Sequence, residues 1–265
     1  MPNSGGRSLG KPGKLARPEH AEGGRRGGRT AFLVRHPAPE IRIADPALLR
    51  IRMTDKNTQM LLASRVIPVL RLASREQAAT AIDCLIEAGF NTVEVTLTTP
   101  GAVEMVRQLR RSRDAEFLVG AGTILDLRSA QACLDAGADY LVSPCLVPGM
   151  AALAKTAGRI ALTGGFTPAE VLAAWREGAA VVKVFPASTG GPSHLGALHA
   201  VYPDIPLCPT GGVSSSNMLD YFKAGAAIVG VGNNVLDQKA LAAGDRGAVV
   251  AHARKFLEIA AAAPV

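Results

Sequence analysis

The sequence has no apolar run that approaches the ~20 residues needed to cross a bilayer. Near the N-terminus, Gly, Pro and Arg interrupt every stretch, so no continuous apolar segment of the secretory type is present. We therefore expect a cytoplasmic protein without a membrane contact. Aromatic residues are scarce, at 4% of 265 residues, but 48% of the chain is hydrophobic, which is enough for a substantial core.

Cysteine is also scarce, and the few cysteines form no CxxC pair. The four are Cys84, Cys133, Cys145 and Cys208. Each lies in or beside an apolar segment, which is typical of small buried hydrophobic residues in a reducing compartment. The five histidines do not fall at a ligand spacing such as HExxH, and neither a Walker loop nor a GxGxxG fingerprint is present. We predict no metal, no ATP and no NAD, hence no cofactor.

The formal charge of +7 is confined to the N-terminal segment. Residues 1–52 hold 11 Lys or Arg against 4 Asp or Glu, whereas residues 53–265 hold 18 of each. The segment is rich in Gly, Arg and Pro, as in "EGGRRGGRT", and we expect it to be disordered. Because Met53 opens the stretch "MTDKNTQMLLASRVIPVL", we hypothesise that translation begins there and that 53–265 is the folded domain.

Short β-branched runs alternate with helical stretches from residue 60 onward. The strand candidates are 65–71, 92–97, 117–122, 140–144, 159–164, 180–186, 205–211 and 227–232. Two of the helices carry start signals, Ser74 before one and Thr167 with Pro168 before the other. Eight βα units favour the α/β class and a (β/α)8 TIM barrel over the competing open doubly wound sheet. Chemistry is then expected where the strands end at their carboxyl face.

Two charged residues lie on apolar strands. In "VVKVFP" one face carries Val181, Lys183 and Phe185, and in "VEVTLT" one face carries Glu94. Both charges would point into the barrel, where an isolated charge is costly. They could form a buried structural ion pair. Alternatively, burial disfavours the ammonium form, so that Lys183 attacks a carbonyl as a free amine while Glu94 moves protons.

Other strand ends offer anchoring groups. Arg71 ends the first strand and suits a substrate carboxylate, or is simply solvated there. The stretch "GAGT" brings Thr123 close to a bound molecule. The seventh and eighth strands end in the glycine-rich "PTGG" and "GVGNN", with Thr210 and Asn233 as polar additions, and loops at these positions commonly hold phosphate.

Five segments, "VEVTLTTPGA", "LVGAGTIL", "YLVSPCL", "VVKVFPAS" and "PTGGV", resemble in this order the class I 2-keto-3-deoxy-6-phosphogluconate (KDPG) and 2-keto-4-hydroxyglutarate (KHG) aldolases. The resemblance covers about residues 60–260. It implies a homotrimeric (β/α)8 barrel that cleaves a 2-keto-3-deoxy-6-phospho sugar acid to pyruvate and glyceraldehyde 3-phosphate, a step of the Entner–Doudoroff pathway. The cleavage of 4-hydroxy-2-oxoglutarate to pyruvate and glyoxylate is a further expectation.

Carried over by position, the resemblance also implies residue roles. Lys183 would form the Schiff base and Glu94 would be the general acid/base. Thr123, Pro144 and Phe185 would line the pyruvate pocket. The phosphate-binding residues would be Thr210, Gly211, Gly212 and Gly232.

Two positions depart from the family pattern. The well-known branch has Arg where this chain has Thr98, a position that helps to bind the carboxylate; we expect Thr98 to be among the substrate-binding residues and Arg71 to take over the binding of the carboxylate. Asn233 replaces a phosphate-binding serine. The segment "ASTGGPSHL" is similar to the corresponding loop of the 2-keto-3-deoxy-6-phosphogalactonate aldolases, which keeps that substrate open.

Two rival functions remain at this stage. A phosphosugar isomerase or epimerase on the same barrel would use the glycine-rich phosphate site but would not need an inward lysine on the sixth strand. A non-catalytic protein that binds RNA or another partner would depend on the basic N-terminal segment, since no nucleic-acid contact is expected for the barrel.

Overall fold

The computed structural model describes residues 55–264, so the predictions for the segment 1–52, including its disorder and the start at Met53, lie outside the described residues. The described chain alternates strands and helices. The strands are β1 Val66–Leu70, β2 Thr92–Thr96, β3 Leu118–Gly122, β4 Tyr140–Val142, β5 Ile160–Gly165, β6 Val181–Val184, β7 Leu207–Pro209 and β8 Val229–Val231. The helices are α1 Lys56–Ser64, α2 Arg75–Ala88, α3 Ala102–Ser112, α4 Leu127–Asp135, α5 Met150–Thr156, α6 Pro168–Arg176, α7 Ala187–Val201, α8 Met218–Lys223, α9 Gln238–Ala243 and α10 Arg246–Ala261. A short 3₁₀ helix, Asn233–Val235, follows β8.

The eight strands form one parallel sheet that nearly closes on itself. Their order is β7-β6-β5-β4-β3-β2-β1-β8. The ends of this series meet through two isolated parallel bridges, Leu207 with Ala226 and Thr210 with Gly230. The predicted (β/α)8 barrel is therefore confirmed, and the open doubly wound sheet is excluded because its edge strands would not meet.

The predicted helix signals act as expected. The Ser74 hydroxyl accepts a hydrogen bond from the Gln77 amide at the start of α2. Thr167 and Glu170 form a reciprocal capping box at the start of α6, with Pro168 in the first turn. Each of these contacts fixes the point at which a loop from the carboxyl face enters the next helix.

Alternation along the strands separates two cores. The outward side chains pack with the helices in one large apolar cluster, which includes Trp175 of α6, 2% exposed, as predicted. The inward side chains form a second cluster that fills the barrel. Its members include Ile67, Val69, Leu118, Tyr140, Leu162 and Val181.

Helix α1 was not anticipated by the sequence pattern. Its residue Leu61 is fully buried in the barrel cluster, together with Ile67 and Ile228 from the amino-terminal halves of the barrel strands. The helix therefore covers the amino-terminal end of the barrel and leaves the carboxyl end open. No helix of the described residues is long and apolar enough to span a membrane.

The cysteine prediction was wrong for one of the four residues. Cys84, Cys133 and Cys208 are buried, as expected. Cys145 is exposed because it lies in the loop that follows β4 at the carboxyl face.

Candidate active site

Lys183 and Glu94 face each other inside the barrel, on β6 and β2. Both side chains are buried, with 5% of Lys183 and 2% of Glu94 exposed. Lys183 Nζ lies 3.9 Å from Glu94 Oε1, too far for a direct hydrogen bond but close enough for a strong charge interaction. The inward orientation predicted for both residues is thus observed.

Gly122 of β3 provides the space for Glu94. A Cβ placed on Gly122 would lie 1.8 Å from Glu94 Oε1. The carboxylate therefore crosses the β3 backbone at a position that has no side chain. This explains the second glycine of the "GAGT" stretch, whose contribution the sequence did not reveal.

The Glu94 carboxyl is buried and only partly satisfied. Its Oε1 atom has no hydrogen-bond partner among the described residues. Burial raises the pKa of Glu94 above its usual range, although the positive charges of Lys183 and Arg71 act to lower it. A carboxyl that retains its proton to higher pH can serve both as an acid and as a base near neutrality.

These two residues lie at the bottom of a cavity of about 290 Å³ at the carboxyl end of the barrel. Ten of the predicted site residues line it, namely Arg71, Glu94, Thr123, Lys183, Phe185, Thr210, Gly211, Gly212, Gly232 and Asn233. The sequence reasoning missed three further lining residues, Val69, Val213 and Asn234. Thr98 and Pro144 do not line the cavity.

Phe185 and Thr123 both line the cavity that contains the Lys183 amine. The Phe185 ring centroid is 5.5 Å from Lys183 Nζ, so the ring can cover a molecule attached to the amine. Thr123 has a φ of 63°, a left-handed conformation that is unfavourable for a β-branched residue. Such local strain is often found at ligand sites, where the surrounding structure maintains it.

Arg71 is tied to the neighbouring strand ends on both sides. Its Nε donates to Thr98 Oγ1 at 3.2 Å. Its backbone N–H donates to Asn233 Oδ1 at 3.1 Å, and its carbonyl accepts from Asn233 Nδ2 at 2.7 Å. Thr98, although outside the cavity lining, therefore contacts the cation that the sequence predicted as the carboxylate ligand.

The glycine-rich end of β7 presents backbone amides to the cavity. Gly211 and Gly212 both have positive φ, 89° and 84°, which only glycine adopts readily. The Gly211 carbonyl accepts a hydrogen bond from the Ser188 amide, and the Gly212 carbonyl accepts one from the Asn217 side chain. Backbone amides of a glycine-rich turn beside a cavity suit an anion such as phosphate. Thr210 is buried, and its hydroxyl lies over Gly230, which leaves it room.

Pro144 lies outside the cavity, in the loop after β4. A Cβ on Gly164 would come within 2.2 Å of the Pro144 carbonyl carbon, so the loop packs directly on β5. Gly164 is the register partner of Lys183. Pro144 thus borders the strand next to the lysine and does not touch the cavity described above.

Comparison with known proteins places these residues in a wider context. A family model described as "Aldolase: KDPG and KHG aldolase" matches residues 58–252. A probable 2-dehydro-3-deoxy-6-phosphogalactonate aldolase of Rhizobium meliloti is 37% identical over 68% of this chain and 85% of its own length. A 2-dehydro-3-deoxy-phosphogluconate aldolase of Pseudomonas aeruginosa is 32% identical over 74% of this chain and 89% of its own.

A solved structure resembles the fold as well. It is the KDPG aldolase of Legionella pneumophila with pyruvate captured at low pH as a covalent carbinolamine intermediate. It is 26% identical, covers 79% of this chain and 98% of its own, and superposes with a TM-score of 0.67.

Proposed function

The chain belongs to the KDPG and KHG aldolase family of carbon–carbon lyases, and from this premise we propose that it is a class I aldolase acting through a Schiff base on Lys183. The substrate is 2-keto-3-deoxy-6-phosphogluconate, cleaved reversibly to pyruvate and glyceraldehyde 3-phosphate. One observation carries the proposal: a buried lysine lies 3.9 Å from an unpartnered, buried carboxylate oxygen, and both line an open cavity.

The first half of the reaction forms the covalent intermediate. The neutral Lys183 amine adds to the C2 carbonyl of the keto acid and gives a carbinolamine. Protonation of its hydroxyl by Glu94 releases water and leaves the iminium. The iminium withdraws electrons from the neighbouring carbons and prepares the C3–C4 bond for cleavage.

The second half breaks and remakes bonds around that iminium. Glu94, now a carboxylate, takes the proton of the C4 hydroxyl, and the C3–C4 bond breaks as its electrons move into the enamine. Glyceraldehyde 3-phosphate is released. Glu94 returns a proton to C3 of the enamine, and water hydrolyses the resulting iminium to pyruvate and free Lys183.

The remaining cavity residues are proposed to bind the two charged ends of the substrate. Arg71 binds the C1 carboxylate through its guanidinium. The backbone of Gly211 and Gly212, aided by Gly232, binds the phosphate. Phe185 and Thr123 enclose the keto carbon between these ends. Pro144 lies outside the cavity, in the loop that packs on β5 beside Lys183.

A second substrate is favoured by a specific observation. The Rhizobium relative, named as a galactonate aldolase, is 37% identical, against 32% for the Pseudomonas gluconate aldolase. The two phospho acids differ in configuration at C4, the carbon whose hydroxyl loses its proton to Glu94. Initial rates with both acids, and with 4-hydroxy-2-oxoglutarate, would rank the three substrates by kcat/KM.

The Schiff base is tested by trapping. Pyruvate and sodium borohydride are added to the protein, and peptides are mapped by mass spectrometry. We expect one reduced adduct, on Lys183, and none in the Lys183→Met variant. An unmodified Lys183 in a correctly folded protein would refute the mechanism.

The proton-transfer role of Glu94 is tested separately. Glu94→Gln should still give the borohydride adduct because the amine remains, although more slowly because the carbinolamine hydroxyl loses its proton donor, while kcat falls by roughly 10²–10⁴-fold. Wild-type kcat in this variant would assign proton transfer to another group.

The oligomeric state is also part of the proposal. The family resemblance supports a cytoplasmic homotrimer, and the subunit number can be measured on the same preparation.

A further inference from the structure

We propose that Asn233 and Thr98 are positioning residues for Arg71 and that neither binds substrate directly. Asn233 fixes the Arg71 backbone, and Thr98 fixes its guanidinium. The inference rests on the proposed function, because it takes Arg71 as the group that binds the keto-acid carboxylate.

The Asn233 side chain makes the two hydrogen bonds to the Arg71 backbone that a neighbouring strand would otherwise make. The register of β1 and β8 ends at the pair Pro68 and Val231, and the chain then turns into the 3₁₀ helix. Beyond this point the Asn233 amide accepts from the Arg71 N–H and donates to the Arg71 carbonyl. A side-chain amide carries the same donor and acceptor as a peptide group, so it continues the pairing for one more residue. Serine would have to make both contacts through one oxygen atom, whereas Asn233 makes them through two separate atoms.

The opposite side of β1 is attached by threonines of "TLTT". Thr96 donates its hydroxyl proton to the Leu70 carbonyl at 2.9 Å. It must therefore accept from Thr98, whose hydroxyl lies 2.9 Å away, since a hydroxyl has only one proton. The lone pairs of Thr98 that remain accept the Arg71 Nε–H. Because the Thr96 hydroxyl donates to the buried Leu70 carbonyl, the directions of the hydrogen bonds from Thr98 to Thr96 and from Arg71 to Thr98 follow.

The geometry of the guanidinium explains the benefit of these contacts. Within the described residues, hydrogen bonds hold the Arg71 side chain only at Nε, so the two terminal nitrogens are free to form a bidentate pair with a carboxylate. Arg71 is exposed, and an unrestrained arginine would sample many rotamers. Fixing both its backbone and its Nε reduces the ordering that the substrate would otherwise have to impose.

This assignment differs from the roles that sequence reasoning gave to the same two residues. Asn233 was expected to donate to phosphate, yet both ends of its amide contact Arg71. Thr98 was expected to contact substrate, yet it lies outside the cavity lining and contacts the guanidinium. Both residues therefore act on the carboxylate end of the substrate, through Arg71.

The test measures each substrate end separately in the direction of synthesis. We expect Asn233→Leu and Thr98→Val each to raise the KM for pyruvate by roughly 2- to 13-fold, the range that corresponds to the net contribution of one ordinary hydrogen bond. The KM for glyceraldehyde 3-phosphate should stay within about twofold, because backbone amides rather than these side chains are proposed to bind phosphate. Thr98→Ser, which keeps the hydroxyl, should restore most of the pyruvate affinity. Thr80→Val, on the exposed surface of α2, controls for the substitution itself.

Two further arms separate the alternatives. In an Arg71→Ala background, Asn233→Leu should add little to the pyruvate KM, since the two act through one group. If Asn233→Leu instead raised the KM for glyceraldehyde 3-phosphate and left that for unphosphorylated glyceraldehyde unchanged, Asn233 would be a phosphate ligand and the inference would be wrong.

The inference and the proposed function fail in different ways. A wild-type protein that forms no borohydride adduct would overturn the proposed function and this inference with it. An active wild type whose Thr98→Val variant retains the wild-type KM for pyruvate would overturn only the inference. Thr98 is exposed, so this variant remains informative even if Asn233→Leu does not fold.

Discussion

At the scale of single residues, Gly122 is as important to the site as Glu94, because it leaves the space that the carboxylate occupies. A methyl group on Gly122 would lie 1.8 Å from Glu94 Oε1 and must displace it. We expect Gly122→Ala to lower kcat by about 10² or more, as proton transfer loses its geometry. The borohydride adduct on Lys183 should persist, because the amine is not displaced. Steady-state kinetics and adduct mapping on one preparation would measure both.

Gly196→Ala is the matched control for Gly122→Ala. Gly196 lies in α7, where an added Cβ would come no closer than 3.9 Å to another atom. Alanine should therefore leave kcat unchanged and stabilise the helix by up to about 1 kcal/mol. Equal kinetic losses in both variants would show that the Gly122 effect is not specific to Glu94.

The raised pKa of Glu94 also predicts that the free energy of unfolding depends on pH. Burial raises its pKa in the folded protein above the ordinary 4.5. Between 4.5 and the folded pKa, the native state binds more protons than the unfolded state, so stability falls as pH rises through that window. Glu94→Gln does not titrate. The free energy of unfolding of the Gln variant relative to wild type should therefore grow from pH 4 to pH 8.

Urea unfolding at a series of pH values measures this difference. The exposed Glu116→Gln variant provides the correction for the substitution itself. A difference that stayed constant, or that favoured wild type increasingly at high pH, would contradict the raised pKa. The result would show that the acid/base group is retained at a cost to stability.

The sequence allowed the positions of these residues to be predicted better than their contacts. Strand alternation was enough to orient Lys183 and Glu94 inward. The contacts of Asn233 and Thr98 with Arg71 could not be predicted, because each joins residues at the ends of two different strands that are far apart in the sequence. The direct contact between Glu94 and Gly122 depends in the same way on the register of β2 against β3.

At the scale of elements, α1 shows the limit of periodicity. The run "MLLASRVIPVL" passes from helix to strand without a glycine or proline between them, and the break occurs at Arg65, with a φ of 60°. Arg65 is stabilised there by its guanidinium, which lies 4.3 Å from the Phe222 ring centroid and donates to the Pro264 carbonyl. Because such support comes from the far end of the chain, local sequence could not indicate it.

Leu61 tests whether α1 is part of the barrel core. It is fully buried at the amino-terminal end of the barrel, so we expect Leu61→Ala to lower the free energy of unfolding by about 2–5 kcal/mol. Leu62→Ala, at a half-buried position on the same helix, should cost clearly less. Urea unfolding followed by circular dichroism would compare the two. Equal losses would mean that α1 contributes helix stability alone.

At the scale of the whole molecule, two large apolar side chains are left uncovered where the loop after β3 enters α4. Leu125 is 61% exposed and Leu127 is 45% exposed. A groove beside them is lined by Asp126, Arg128, Ser129 and Ala132, together with Leu97 and Val103 of the preceding βα unit. Exposed apolar surface is a feature of interfaces between proteins. Together with the family resemblance, it supports a second copy of this chain as the partner.

A charge placed in this surface should therefore separate the subunits. We expect the double variant Leu125→Asp, Leu127→Asp to sediment as a monomer at concentrations at which the wild type, which we propose to be a homotrimer, sediments as an oligomer, because burying two carboxylates would cost more free energy than the apolar contact contributes. Val201→Asp is the control, since Val201 is 53% exposed on α7, away from this loop. If the double variant stayed trimeric and the Val201 variant dissociated, the interface would lie on α7. Retention of the Lys183 borohydride adduct in the monomer would further show that each barrel forms its Schiff base without its neighbours.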